Sequence, residues 1–281
     1  MTTALVDVNT LASWMDADEP LVVLDCRARL MDASAGRAMW QEGHIPGAIH
    51  ADMAKDLASP ANHENGGGRH PLPKKDTFAE QLRQWGISPQ TRVVVYDDAG
   101  GQLAAARAWW LLLWAGQGNV HVLDGGWQAW QEEDGRVEQG ETLPQITPSN
   151  WQPSFNDNMI ATADDVARGD ALLLDGRAGE RYRGENEPID PVAGHIPGAV
   201  NLPSSDTLDA STHHLLAAEE LDSMMPQSDE TIAYCGSGVS ACQLILAHAV
   251  AGRELPRLYP GSWSEWSRDP DRPVETNETA N

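Results

Sequence analysis

Short, unbroken apolar runs alternate with helical patterns along the whole chain. "PLVVLDC" from Pro20 and "RVVVYDD" from Arg92 show no polar–apolar alternation, so they predict strands buried on both faces. "DTFAEQLRQWG" from Asp76 carries apolar positions at helical spacing and ends at Gly86, while "LAAARAWWLLLWAG" from Leu103 is apolar nearly all round and predicts a buried helix. The same alternation returns in "DALLLDG" from Asp170, "AAEELDSMM" from Ala217, "ETIAYCG" from Glu230 and "SACQLILAHAV" from Ser240. Strand and helix in alternation predict an α/β fold, a parallel sheet with helices on both faces. Ligands of such sheets bind beyond the carboxyl ends of the strands.

The pattern is written twice. "LVVLDCRA" at Leu21 is answered by "ALLLDGRA" at Ala171, and "GHIPGAIH" at Gly43 by "GHIPGAVN" at Gly194. "RVVVYDDAGG" at Arg92 answers "TIAYCGSGVS" at Thr231, and "VLDGGWQAW" at Val122 answers "LYPGSWSEW" at Leu258. Four matches in one order imply two tandem domains, 1–147 and 148–281, of ordinary domain size. The Pro-, Gly- and polar-rich stretch from Glu132 to Asp157 reads as the linker, with the boundary near Pro148. "ANHENGGGRHPLPKK" from Ala61 reads as a surface loop within the first copy. Asp25 with Arg27, and Asp175 with Arg177, recur at matching places and predict a structural ion pair in each copy. Trp109, Trp110, Trp127 and Trp263 are read as packing residues.

Composition narrows the function. A chain of 281 residues, 41% hydrophobic, is long enough to bury a core in each copy. No run approaches the ~18 apolar residues of a membrane span, and "MTTALVDVNT" lacks the pattern of a secretory signal, so a cytoplasmic location is expected. A formal net charge of -23 repels nucleic acid and anionic membranes, and neither is expected as a partner. The three cysteines, Cys26, Cys235 and Cys242, have neither disulfide-framework nor zinc-ligand spacing, and no metal site is expected. Cys26 and Cys242 lie in apolar runs and read as core.

Cys235 differs by position. It ends a strand, precedes the Gly-rich turn "GSGVS", and leads into a helix that starts near Ser240 or Ala241. Successive N–H groups of Gly236, Ser237, Gly238, Val239 and Ser240 can curl into a nest facing the sulfur, and the helix N-terminus adds about half a positive charge. Both favour a thiolate able to attack, and both would hold a persulfide anion afterwards. Aligning Tyr96 with Tyr234 sets Asp97 opposite Cys235, so only the second copy is expected to be catalytic.

Paired "GHIPGA" motifs, a "YC" strand end with its six-residue loop and the C-terminal "GSWSEW" resemble the tandem rhodanese family of sulfurtransferases over nearly the whole chain. The loop "CGSGVSA" is similar to the form that uses 3-mercaptopyruvate rather than the thiosulfate form, which carries Arg and Lys after the cysteine. The resemblance implies that Arg181 in "GERYRGENEP" holds the substrate carboxylate. It also implies a second arginine a few residues on, where this chain has Asp190; Arg183 is the candidate replacement. A Ser/His/Asp constellation is implied too, with Ser237 and His44 as members. Its acid falls at Ala35, with Asp32 the nearest carboxylate. Because "GHIPGA" occurs twice, at least one of His44 and His195 is expected to be structural.

The reaction so implied passes sulfur from 3-mercaptopyruvate to Cys235, releases pyruvate, and hands the sulfur to thioredoxin, a low-molecular-weight thiol or cyanide without any cofactor. Three rivals remain. Thiosulfate could be the donor on the same fold. A cysteine phosphatase needs arginine six places after the cysteine, where this chain has Ala241. A persulfide carrier that does not turn over would load Cys235 only once.

Overall fold

The two-sided burial that the apolar runs require is met by two parallel sheets. The computed structural model describes residues 3–17, 19–29, 32–61, 67–101, 104–141 and 145–276. Leu103 of the predicted buried helix, 62–66 of the predicted loop and 142–144 of the linker lie outside the described residues. The first sheet has the order β1-β5-β4-β2-β3, from Leu5–Val6 (β1), Leu21–Asp25 (β2), Ile49–His50 (β3), Arg92–Tyr96 (β4) and Val120–Leu123 (β5). The second has the order β7-β6-β8-β9, from Leu172–Asp175 (β6), Val200–Asn201 (β7), Thr231–Tyr234 (β8) and Arg257–Leu258 (β9). Where the first sheet adds β1 beside β5, the second has a single parallel bridge, Ile160 to Leu258.

The helices of the first copy are Val8–Met15 (α1), Ala35–Glu42 (α2), Lys75–Gln84 (α3), Ala104–Trp114 (α4) and Gly126–Glu132 (α5). Those of the second are Ala163–Arg168 (α6), Gly179–Tyr182 (α7), Ala218–Met224 (α8), Ala241–Val250 (α9) and Ser262–Trp266 (α10). Both α4 and α9, the helices that follow the central strands, are buried almost throughout, as their apolar circumference requires. Trp109, Trp110 and Trp263 are core residues, and Trp127 packs at the edge of the first core.

Register makes the duplication exact in chemistry as well as pattern. Asp25 lies opposite Tyr96 across β2 and β4, and Asp175 opposite Tyr234 across β6 and β8. Arg27 Nη2 reaches Asp25 at 2.5 Å and the Gly43 carbonyl at 2.5 Å; Arg177 Nη2 reaches Asp175 at 2.7 Å and the Gly194 carbonyl at 2.7 Å. Each guanidinium also covers a tryptophan, Arg27 on Trp127 at 4.5 Å and Arg177 on Trp263 at 4.6 Å. The expected ion pairs are therefore present and fully desolvated, so breaking one side would strand a buried charge.

By contacts the chain divides into two compact units, and three segments depart from a linear boundary at 147/148. The first unit holds 1–59, 73–156 and 209–215; the second holds 60–72, 157–208 and 216–281. The described end of the predicted surface loop is not a surface loop. Gly68 is buried so tightly against Gly261 that a Cβ would sit 2.4 Å from its carbonyl oxygen, and the Arg69 N–H donates to Ser264 Oγ at 3.0 Å.

Candidate active site

The site is built outward from the end of β8. Tyr234 is the last strand residue, Cys235 follows it, and α9 begins six residues later, so the intervening loop must turn tightly. Gly238 takes φ +75, and a Cβ there would stand 2.6 Å from the Pro260 carbonyl oxygen, so only glycine fits. The start of α10 fixes the loop from below. Ser262, itself at φ +53, accepts from the Cys235 N–H at 3.2 Å, and the Trp263 and Ser264 N–H groups donate to the carbonyls of Cys235 and Gly236, both at 2.9 Å. Among the described residues, the N–H groups of Ser237, Val239 and Ser240 donate to no protein acceptor. Cys235 is thus a nearly buried sulfur in a fixed loop with open donors, at the amino end of a ten-residue helix.

Within the second unit Ser237 follows Cys235 by two residues and Arg181 approaches Gly236, while His44 belongs to the first unit. The Ser237 hydroxyl lies 2.8 Å from His70 Nδ1, and both residues belong to the second unit. His44 is fully buried in the first unit, stacked on Trp40 at 4.5 Å, with its Nδ1–H donating to the Trp40 carbonyl at 2.7 Å. Its counterpart His195 repeats this arrangement on Tyr182, with a ring spacing of 3.8 Å and a 2.8 Å bond to the Tyr182 carbonyl. Each histidine also pairs by backbone with a glutamate, Glu138 or Glu275, whose carboxylate accepts from the next glycine of the motif, Gly47 or Gly198. "GHIPGA" thus packs in the same way in both copies, and the imidazole that stands beside Ser237 is that of His70. Asp32 is exposed, and its Oδ1 accepts from the Ser34 N–H and hydroxyl at 2.9 and 2.7 Å, which makes it a turn cap.

Arginines frame the loop. Arg181, on α7, donates to Glu187 at 2.8 Å and to Asp190 at 3.2 Å. Burial opposes the charge on Glu187, yet the Arg181 bond and the N–H groups of Asp190 and Ile189 hold its carboxyl below the usual range. Arg69 Nη1 bonds the other oxygen of Asp190. A Cβ built on Gly236 would lie 3.2 Å from Arg69 Nη2 and 3.3 Å from Arg181 Nη1, so both guanidinium groups approach the residue next to the nucleophile. Arg183, the expected replacement for the second arginine, is half-exposed and bound to Glu185 at 2.7 Å.

The other thiols have no such setting. Burial, with Asp25 and Asp97 near, pushes the Cys26 thiol well up, and Cys242 Sγ faces the Gly238 carbonyl at 3.5 Å inside the core. Among the described residues no group of three or more His, Cys, Asp or Glu side chains could hold a metal ion, and no helix is long and apolar enough to cross a membrane.

Sequence reasoning missed His70 and Arg69. Their signal was "GGGRHP", an arginine–histidine pair behind a glycine run.

A duplicated parallel-sheet protein with one cysteine-bearing strand-to-helix loop is the class that the fold and site define. The rhodanese-like domain model matches residues 7–133 and 160–269, and the chain belongs to the rhodanese family as two tandem copies. It is 44% identical to a probable 3-mercaptopyruvate sulfurtransferase of Pseudomonas aeruginosa, over 98% of each chain. It is 41% identical to the putative thiosulfate sulfurtransferase SseB of Mycobacterium tuberculosis, over 96% of each. Among solved structures it resembles SseA from Escherichia coli, a 3-mercaptopyruvate enzyme, with a TM-score of 0.78 and 30% identity, covering 94% of this chain and all of that one. Relatives of similar identity thus carry names for two different donors.

Proposed function

We propose that this sulfurtransferase uses 3-mercaptopyruvate as donor, and that Cys235, Ser237, His70 and Arg181 carry the reaction. The Ser237–His70 pair, 2.8 Å apart and two residues from the nucleophile, carries this reading. Thiosulfate has no carbonyl to polarise, whereas mercaptopyruvate develops an enolate when its carbon–sulfur bond breaks, and a hydroxyl backed by an imidazole can protonate it. Arg181 suits the donor carboxylate. The Cys235 thiolate attacks the donor sulfur; the sulfur–sulfur bond forms, the carbon–sulfur bond breaks, and the electron pair passes to the enolate oxygen. Ser237 supplies a proton there, refilled from His70, and pyruvate leaves as its enol, which tautomerises to the keto acid. The persulfide left on Cys235 rests in the loop of Gly236, Ser237, Gly238, Val239 and Ser240, where the open N–H groups of Ser237, Val239 and Ser240 suit an anion. A thiolate acceptor then attacks the outer sulfur and frees Cys235. Thioredoxin, a small thiol or cyanide fits this second step. Three free cysteines suit a reducing compartment such as the cytoplasm.

A second reading, thiosulfate as donor, is favoured by the two guanidinium groups beside Gly236, which suit a compact dianion. Intact-protein mass spectrometry after brief exposure to each donor, with pyruvate release in the presence of a thiol, separates the two. One added sulfur on Cys235, absent in Cys235→Ser and retained in Cys242→Ser, with turnover faster on mercaptopyruvate, is the expected result. Faster turnover on thiosulfate selects the second reading, and no loading from either donor overturns both. Loading without multiple turnover marks a carrier.

A further inference from the structure

Arg69 stands in an unusual electrostatic position. It comes from the short segment 60–72 of the second unit, between the glycine run and His70. Its side chain is 23% exposed and that of Arg181 17%, while the carboxylates that hold them, Asp190 and Glu187, are 0% and 3% exposed. The anions therefore lie beneath, and the cations face outward. Asp190 alone ties the two guanidinium groups together, one to each oxygen. Like charges so close repel, so the arrangement is worth keeping only where something gains from two donors side by side. Among the described residues Arg69 Nη2 has no acceptor; it approaches Gly236, the residue after the nucleophile, from one side while Arg181 approaches it too. Gly236 has no side chain to fill that space.

We propose that Arg69 is a second anion-holding residue of the Cys235 site, which with Arg181 binds the carboxylate of an α-keto acid sulfur donor. Asp190 aims both arginines without cancelling the outward face, because its own charge is spent below them. The keto-acid part of the proposal rests on the donor reading above; the anion-holding part does not.

The test uses the full-length protein and two probes that do not depend on turnover. Iodoacetate and iodoacetamide alkylate the same thiol, one as an anion and one as a neutral molecule, and mass spectrometry reads the rate at Cys235 for each. Arg69→Gln is expected to lower the iodoacetate-to-iodoacetamide rate ratio by about threefold to tenfold, with the iodoacetamide rate unchanged; Arg69→Lys, which keeps the charge, restores most of it. With mercaptopyruvate, Arg69→Gln is expected to raise KM by about tenfold or more and to change kcat much less. An alkylation ratio that stays within about twofold of the parent in a folded Arg69→Gln protein overturns the proposal. A lowered ratio in a protein that never loads sulfur from mercaptopyruvate keeps Arg69 as an anion holder and overturns only the donor reading.

Discussion

The two strand-to-helix loops of this chain solve one problem in opposite ways. Both follow a central strand whose tyrosine lies opposite a buried aspartate, and both are pinned by a tryptophan N–H, that of Trp127 on the Asp97 carbonyl and that of Trp263 on the Cys235 carbonyl. In the first loop the Asp97 carboxylate fills the nest: it accepts from the N–H groups of Ala99, Gly101 and Ala105 at 2.9, 2.8 and 3.1 Å. In the second the N–H groups of Ser237 and Val239, two and four residues after Cys235, face no protein acceptor among the described residues. One loop carries its own anion and is complete; the other is left for an anion made during reaction. The strand, the turn and the helix are common to both, so the chemistry lies in what they enclose.

The largest effect is expected from making the second loop like the first. Cys235→Asp should remove turnover by about 10³-fold or more, since no nucleophile remains and a carboxylate would occupy the persulfide's place; pyruvate release and sulfur loading both check this. His70→Asn should lower kcat on mercaptopyruvate by about 10- to 100-fold while iodoacetamide still modifies Cys235, whereas His44→Gln should unfold at lower denaturant with kcat per folded molecule kept.

Emptying the first loop should cost stability rather than activity. Asp97→Ala strands three buried N–H groups and should lower the unfolding free energy by about 2–4 kcal/mol by denaturant titration. Burial raises the Asp97 carboxyl, against the N–H groups that lower it. A raised folded value gives a contribution that is full below the unfolded carboxylate range and falls as pH rises through the folded value. The stability difference between parent and Asp97→Asn should therefore move in the parent's favour as pH is lowered across that window.

The smallest effect compares the helices that open the two units. Asp7 caps α1 by accepting from the Thr10 N–H, and Thr162 with Asp165 forms a capping box on α6. Hydrogen bonds from the Thr162 N–H and hydroxyl bring the Asp165 carboxyl down to about 2. Its contribution is present above the ordinary carboxylate range and is lost as pH falls toward that value. Asp165→Asn should cost about 0.5–1 kcal/mol near neutral pH, and the two proteins should converge in acid.

The sequence displayed what the copies share. Strand runs, the Asp25–Arg27 and Asp175–Arg177 pairs and the opposition of Asp97 to Cys235 are local or repeated, and the structure holds each of them. His70 and Arg69 were hidden because their partners Ser237 and Asp190 are more than a hundred residues away in sequence. No periodicity reports such a contact. The repetition of "GHIPGA" pointed to a structural histidine, and the backbone pairing of His44 with Glu138 and of His195 with Glu275 is the same in both copies.

The assignment of segment 60–72 to the second unit has a consequence for how the gene can change. An inert duplicate is ordinarily free to decay or be deleted. On the proposed mechanism, the half without a nucleophile encodes the imidazole and one of the guanidinium groups that serve the other half. Deleting it would disarm the surviving copy, so selection on catalysis alone is enough to preserve both.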